Sequence, residues 1–108
     1  NVVPIGFAKV LSDDEILLVK NFKGKTLDNM RANPRVAISV WDMKTIKGYQ
    51  FKGDARIETS GSVFDEAVEM VKAAMPQARV HAAVVVKVSS IYVTTPGPDA
   101  GKQVGESP

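Results

Sequence analysis

The sequence predicts a mainly β, α+β domain: a largely antiparallel sheet curled into a barrel, with two small helices against it. Three observations carry that expectation. From Tyr49 to Thr59, Tyr49, Phe51, Ala55 and Ile57 alternate with Gln50, Lys52, Asp54, Arg56 and Glu58, the pattern of an antiparallel strand with one buried face. The strand-like segments are linked as hairpins rather than by βαβ crossovers, giving the order β-β-α-β-β-α-β. No G-x-G-x-x-G follows the first strand, which disfavours a doubly wound dinucleotide fold.

In chain order, the first strand runs from Val2 to Leu11, and the chain opens in it without an initiator Met. An upstream hairpin is therefore expected to be missing. Ser12-Asp13-Asp14 reads as a turn, and Ile16 to Val19 as the returning strand. Asn21 to Lys25 is a polar loop containing Gly24. Thr26 is placed to cap a short helix over Leu27 to Ala32, which Asn33-Pro34 ends because the residue before proline is pushed out of the helical region. Val36 to Trp41 is apolar on both faces, so that strand is expected to be central or at an interface. Gly53 predicts a bulge or bend in the Tyr49–Thr59 strand. Ser62 begins the main helix, whose stripe is Phe64, Ala67, Val68, Val71 and Met75, and Pro76 stops it. Ala82 to Val88 and Ile91 to Val93 supply the last strand or strands. The domain spans 1–94. Residues 95–108 form a Pro/Gly-rich tail expected to lack packed structure.

Composition narrows the function. A chain of 108 residues with 44% hydrophobic and 24% charged residues suits one globular domain. It has no apolar run long enough to span a membrane and no signal-peptide pattern. Cysteine is absent, which removes disulfides, thiolate metal sites and cysteine nucleophiles and fits a reducing cytoplasm. His81 is the sole histidine, so a histidine-rich metal centre or a Ser-His pair is disfavoured. Net charge is +2, too little for a nucleic-acid surface. The basic excess is concentrated: Lys20, Lys23, Lys25, Arg31 and Arg35 face only Asp28 within residues 20–35. A local anion site fits that distribution; so does a solvated helix face.

The segment Asn21-Phe22-Lys23-Gly24-Lys25-Thr26 joins a strand to a helix start, where free N–H groups and the positive dipole end suit phosphate. Lys25 adds a charge and Thr26 a hydroxyl donor, although the G-x-x-x-x-G-K-[ST] spacing of the nucleotide-binding loop is missing. Asn29 and Arg31 stand close enough in sequence to reach the same anion, or simply face water. No acid–base pair stands out. Asp13-Asp14-Glu15 lacks the spacing of a calcium loop, and Trp41 and Tyr49 read as core or interface residues, with a flavin ring as the alternative. An enzyme so poor in catalytic side chains would leave the chemistry to a cofactor. FMN fits, with a phosphate for the basic loop and an apolar ring for the strands.

Asn1-Val2-Val3-Pro4-Ile5-Gly6, Lys9-Val10-Leu11, Lys25-Thr26-Leu27-Asp28-Asn29-Met30-Arg31 and Asn33-Pro34-Arg35-Val36-Ala37 resemble the first half of the pyridoxamine 5′-phosphate oxidase-related FMN-binding family. Lys47 to Gly53 and Ile91-Tyr92-Val93 extend the resemblance to about Thr94. It implies an antiparallel split β-barrel of the FMN-binding type, a homodimer with FMN at the interface, and a small-molecule electron donor or acceptor. It implies that Lys25 and Thr26 bind the FMN phosphate and that Asn21 and Phe22 approach the ring or ribityl chain. Val2, Val3 and Pro4 would line the isoalloxazine, Asn29 is a further contact, and Trp41 lies near the interface. The arginine-rich substrate site of the oxidase itself is not evident, which favours a flavoprotein or flavin-dependent reductase of unknown substrate over vitamin B6 oxidation. The alternatives are a non-catalytic flavin carrier and a deazaflavin- or haem-binding relative of the same barrel, His81 being the one histidine available to a haem iron.

Overall fold

A computed structural model describes residues 5–19, 25–80 and 82–106. The elements run β1 (Phe7–Ser12), β2 (Glu15–Val19), α1 (Lys25–Ala32), β3 (Arg35–Asp42), β4 (Lys47–Glu58), α2 (Ser62–Ala74), β5 (Ala83–Val93) and β6 (Gln103–Glu106). All strand pairs are antiparallel, in the order β1-β2-β5-β4-β3, with β6 on β5. The fold is the mainly β, split-barrel arrangement with two helices that the sequence predicts.

β5 organises the domain. Its residues 83–86 are apolar and fully or almost fully buried, because helices or strands cover both of its faces. On one face Ala83 and Val85 join Leu17 and Val19 of β2 beneath Ala67 and Val71 of α2, with Phe7, Leu11, Val63, Phe64 and Met70 at the margin. On the other, Val84 and Val86 meet Leu18, Leu27 of α1 and the inner residues Val36, Ile38, Ala55 and Ile57 of β3 and β4. Contact among β2, β5, β4 and β3 residues across that inner face is what curling the sheet accomplishes.

Several expectations are corrected. β1 begins at Phe7, not Val2; of the earlier residues, Ile5 and Gly6 precede the strand and 1–4 lie outside the described residues. α1 starts at Lys25, so Thr26 sits inside its first turn rather than capping it. Among the described residues β3 stands at the end of the strand order, not inside it, so of the two readings of its two-faced apolarity, central or at an interface, the central one is not met. Met75 leaves the stripe of α2; it follows the last helical residue and is 54% exposed, while Val63 and Met70 take part in the packing. α2 does begin at Ser62, as expected, with Gly61 before it at φ 94° and no side-chain cap. Of the one strand or two expected after α2, the structure has one, Ala83 to Val93, while the tail, expected to lack packed structure, contributes β6.

The irregularity predicted at Gly53 is present, with its extra residue on the partner strand. Lys52 pairs with Ser90 and Gly53 with Val88, so Ser89 is the unpaired bulge residue, and its hydroxyl donates to the Lys52 carbonyl at 3.1 Å. Gly53 is needed because a Cβ there would lie 2.1 Å from the Lys87 carbonyl oxygen. Beyond α2 the outer face is a charge lattice. Arg56 bridges Glu15 at 2.5 Å and Glu58 at 2.9 Å, and both bonds, Glu15 first, raise its pKa. Lys9 pairs with Glu66 of α2.

Candidate functional site

The short helix α1 is the only predicted phosphate-binding element whose side chains are described. Leu27 fixes it: this side chain is buried against Leu18, Val84 and Val86, with Met30 packed beside it. At about 100° per residue, Lys25, Asn29 and Thr26 then occupy one arc of about 100° next to that anchored face. Lys25 and Asn29 are exposed and Thr26 is half-buried. Lys25 makes no ion pair among the described residues. Helical geometry therefore puts Lys25, Thr26 and Asn29 along one side of the first two turns of α1, and the dipole and early N–H groups of a helix start favour an anion.

Arg31 is separated from them. It stands on the far side of α1 and pairs with Asp28 at 3.9 Å. Arg35, further along the same basic segment, reaches both oxygens of Asp54 at 3.4 Å. Of the five basic residues in residues 20–35, Arg31 and Arg35 are thus paired with acidic neighbours. Asn21 and Phe22, and Val2, Val3 and Pro4, lie outside the described residues, as do Lys20, Lys23 and His81.

A second region was not singled out as a unit by the sequence: the end of the β3–β4 hairpin. Trp41 pairs with Gly48 and Val40 with Tyr49. A concavity of about 490 Å³ is lined there by Val40, Trp41, Asp42, Thr45, Lys47 and Tyr49. The Asp42 carboxylate turns into the tip, accepting from the Lys44 N–H at 2.9 Å. That bond first, then bonds from Thr45 and the nearby charge of Lys47, hold it below its ordinary pKa. Gly48 is visible in the sequence, but its place opposite the one tryptophan is set by the strand register. Among the described residues, no cluster of three or more His, Asp or Glu side chains that could hold a metal is present, and no helix is long and apolar enough to cross a membrane.

Comparison with known proteins follows this geometry. The family model described as pyridoxamine 5′-phosphate oxidase matches residues 1–95. An uncharacterized protein of Methanocaldococcus jannaschii, MJ0282, is 37% identical over 98% of this chain and 72% of its own length. The crystal structure of HupZ from Group A Streptococcus superposes with a TM-score of 0.80 at 26% identity, covering 94% of this chain and 79% of HupZ. A Lactobacillus delbrueckii protein, provisionally assigned as a pyridoxamine 5′-phosphate oxidase, shares the fold with a TM-score of 0.60 at 15% identity, over 83% of this chain and 70% of its own.

Proposed function

The chain belongs to the pyridoxamine 5′-phosphate oxidase family, and on that premise we propose that it is an FMN-binding oxidoreductase acting as a homodimer, with a small-molecule electron donor or acceptor. The observation that carries this reading is the first turn of α1. Lys25, Thr26 and Asn29 share one face, Leu27 holds the helix in place, and the other described basic residues nearby, Arg31 and Arg35, are paired away from it.

In this reading Lys25 supplies charge to the FMN phosphate and Thr26 donates its hydroxyl, while the helix start adds N–H groups. Asn29, one turn on from Lys25, orients the same group. Asn21 and Phe22 approach the ring or ribityl chain, and Val2, Val3 and Pro4 line the isoalloxazine. FMN, when bound, supplies the electron and hydride chemistry that the side chains of this chain lack. The protein's own contribution is to hold the phosphate, orient the ring and exclude water from it. The exposed apolar end of the β3–β4 hairpin and the open edge of β3 support a homodimer, since such an end is costly to leave in water.

The test is a titration of the apo-protein with FMN and with riboflavin, followed by flavin fluorescence. FMN is expected to bind more tightly. Lys25→Ala is expected to lower FMN affinity by about 1.5–3 kcal/mol, the scale of one charged hydrogen bond, while leaving riboflavin unchanged. Equal affinity for the two flavins removes the phosphate site. Reduction by a nicotinamide followed by turnover with an acceptor separates an enzyme from a flavin carrier.

A further inference from the structure

The chain beyond β5 does not leave the sheet. Past Val93 it stays against β4: the Thr94 N–H donates to the Gly48 carbonyl at 2.9 Å. The Gly48 N–H donates to Thr95 Oγ1 at 2.9 Å, and the Thr95 hydroxyl donates back to the Gly48 carbonyl at 3.3 Å. Both backbone groups of Gly48 thus point to the tail. Gly48 therefore meets Trp41 across β3 and β4 as a pair without mutual hydrogen bonds, the pairing in which facing residues come closest. A Cβ on Gly48 would lie 2.5 Å from Trp41 Cε3 and 2.5 Å from Thr94 Oγ1. The indole is set on a stretch of backbone that Thr94 and Thr95 hold in place.

From Thr95 the chain crosses the end of β5 to its other edge. β2 covers that edge along Ala83 to Lys87, and β6 takes it up at Ser90 to Tyr92. The return is closed by the Gly101 N–H on the Val93 carbonyl at 2.7 Å and by the Val93 N–H on the Lys102 carbonyl at 2.9 Å. Gly101 turns there with φ 86°, a conformation that glycine adopts without strain. The hold of the tail is slight. β6 is paired with β5 at three positions, with a shift between Ile91 and Tyr92, and Val104 is 57% exposed. The Asp99–Lys102 pair of the turn is exposed at both ends, and such pairs contribute little. A segment with few buried contacts opens at lower cost than the core on which it lies.

We propose that residues 94–106 are a detachable latch on the end of the β3–β4 hairpin. Seated, the tail fixes Gly48 and through it the indole of Trp41. Released, it leaves both backbone groups of Gly48 without these partners and loosens the seat of Trp41. The state of the tail thereby tunes how well this end of the sheet meets a second copy of the chain. That last step rests on the homodimer reading; the latch itself does not.

Gly101→Val tests the coupling from a distance. A branched residue at positive φ is strained, yet a side chain there meets nothing within 4 Å, so the change acts on the return of the tail and not on Trp41 directly. In the full chain, the Gly48 amide is expected to exchange for deuterium at least tenfold faster, and the emission of the single tryptophan to shift, while the Val85 amide keeps its wild-type rate. Thr95→Val, which keeps the branched side chain and removes the hydroxyl, should speed the same Gly48 exchange. Wild-type exchange needs no substitution: the Gly48, Thr94 and Gly101 amides should share one denaturant dependence, shallower than that of Val85. Gly101 exchanging freely while Gly48 stays as protected as Val85 overturns the latch. So does a folded Gly101→Val chain whose Gly48 exchange and Trp41 emission match wild type. In sedimentation, Gly101→Val should weaken self-association at least tenfold. Unchanged association beside accelerated Gly48 exchange overturns the link to the second copy. A wild type that stays monomeric removes the homodimer reading, and the exchange rates still decide the latch.

Discussion

Beneath α2, Leu17 and Val85 are 0% exposed, sealed by Ala67 and Val71; at the β3–β4 turn Met43 is 82% exposed and Ile46 55%. The same kinds of side chain, in one sheet, meet opposite fates because only the first region has a second layer. Burial in that layer supplies the hydrophobic driving force, whereas the apolar turn contributes little to the stability of a single chain and is free to vary with what it contacts. The comparison assigns the packing that stabilises the domain to the α2 end of the sheet.

Four substitutions probe that division. The largest effect is expected from Leu17→Ala, which empties a site packed on both sides and should cost about 3 kcal/mol in urea unfolding; a loss below about 1 kcal/mol would mean that α2 is not a tightly packed layer. Gly53→Ala comes next. Its methyl group meets the Lys87 carbonyl, backbone that cannot swing aside, and a cost of about 1–3 kcal/mol is expected. Met43→Ser at the turn should change stability by no more than about 0.5 kcal/mol; a larger loss at low protein concentration would place the turn in the folding core after all.

The smallest effect concerns Asp42. In the folded state the hydrogen bond from the Lys44 N–H holds its carboxyl below the ordinary aspartate value. Its contribution is therefore present above that value and fades as pH falls through the lower, folded one. In thermal melts, the difference between wild type and Asp42→Asn should shrink as the solution is acidified past that range. A difference that grows instead would reverse the assignment.

The pattern of the sequence reveals the elements better than their neighbours. Period-two alternation located β4, and the apolar stripe located α2 apart from Met75, because both signals are local. The edge position of β3 was not legible: Val36 to Trp41 is apolar on both faces whether a strand lies beside it or not, and strand order is fixed by contacts distant in sequence. β6 escaped notice because Gln103 to Glu106 has no alternation to read; it is held by pairing with Ser90, Ile91 and Tyr92. At the candidate site, Lys25 and Thr26 were read from the strand-to-helix junction, and Asn29 and Arg31 alike from nearness in sequence, not from helical spacing. The separation of Arg31 follows from the same spacing once α1 is anchored by Leu27. The role of Gly48 needed the strand register that sets it opposite Trp41.

Ser89 carries a consequence of a different kind. Before it, Ala83, Val85 and Lys87 lie on the face of the sheet that α2 covers in part; after it, Ser90 and Tyr92 do, so the extra residue keeps the faces of β5 in step with those of β4. A bulge of this kind bends its strand and increases the local twist, and it lies between the α2 end and the Trp41 end. Deleting this one residue would restore an even ladder without turning any side chain to the wrong face. The angle between the two ends is thus a heritable variable of a single codon, adjustable while the core sequence stays as it is.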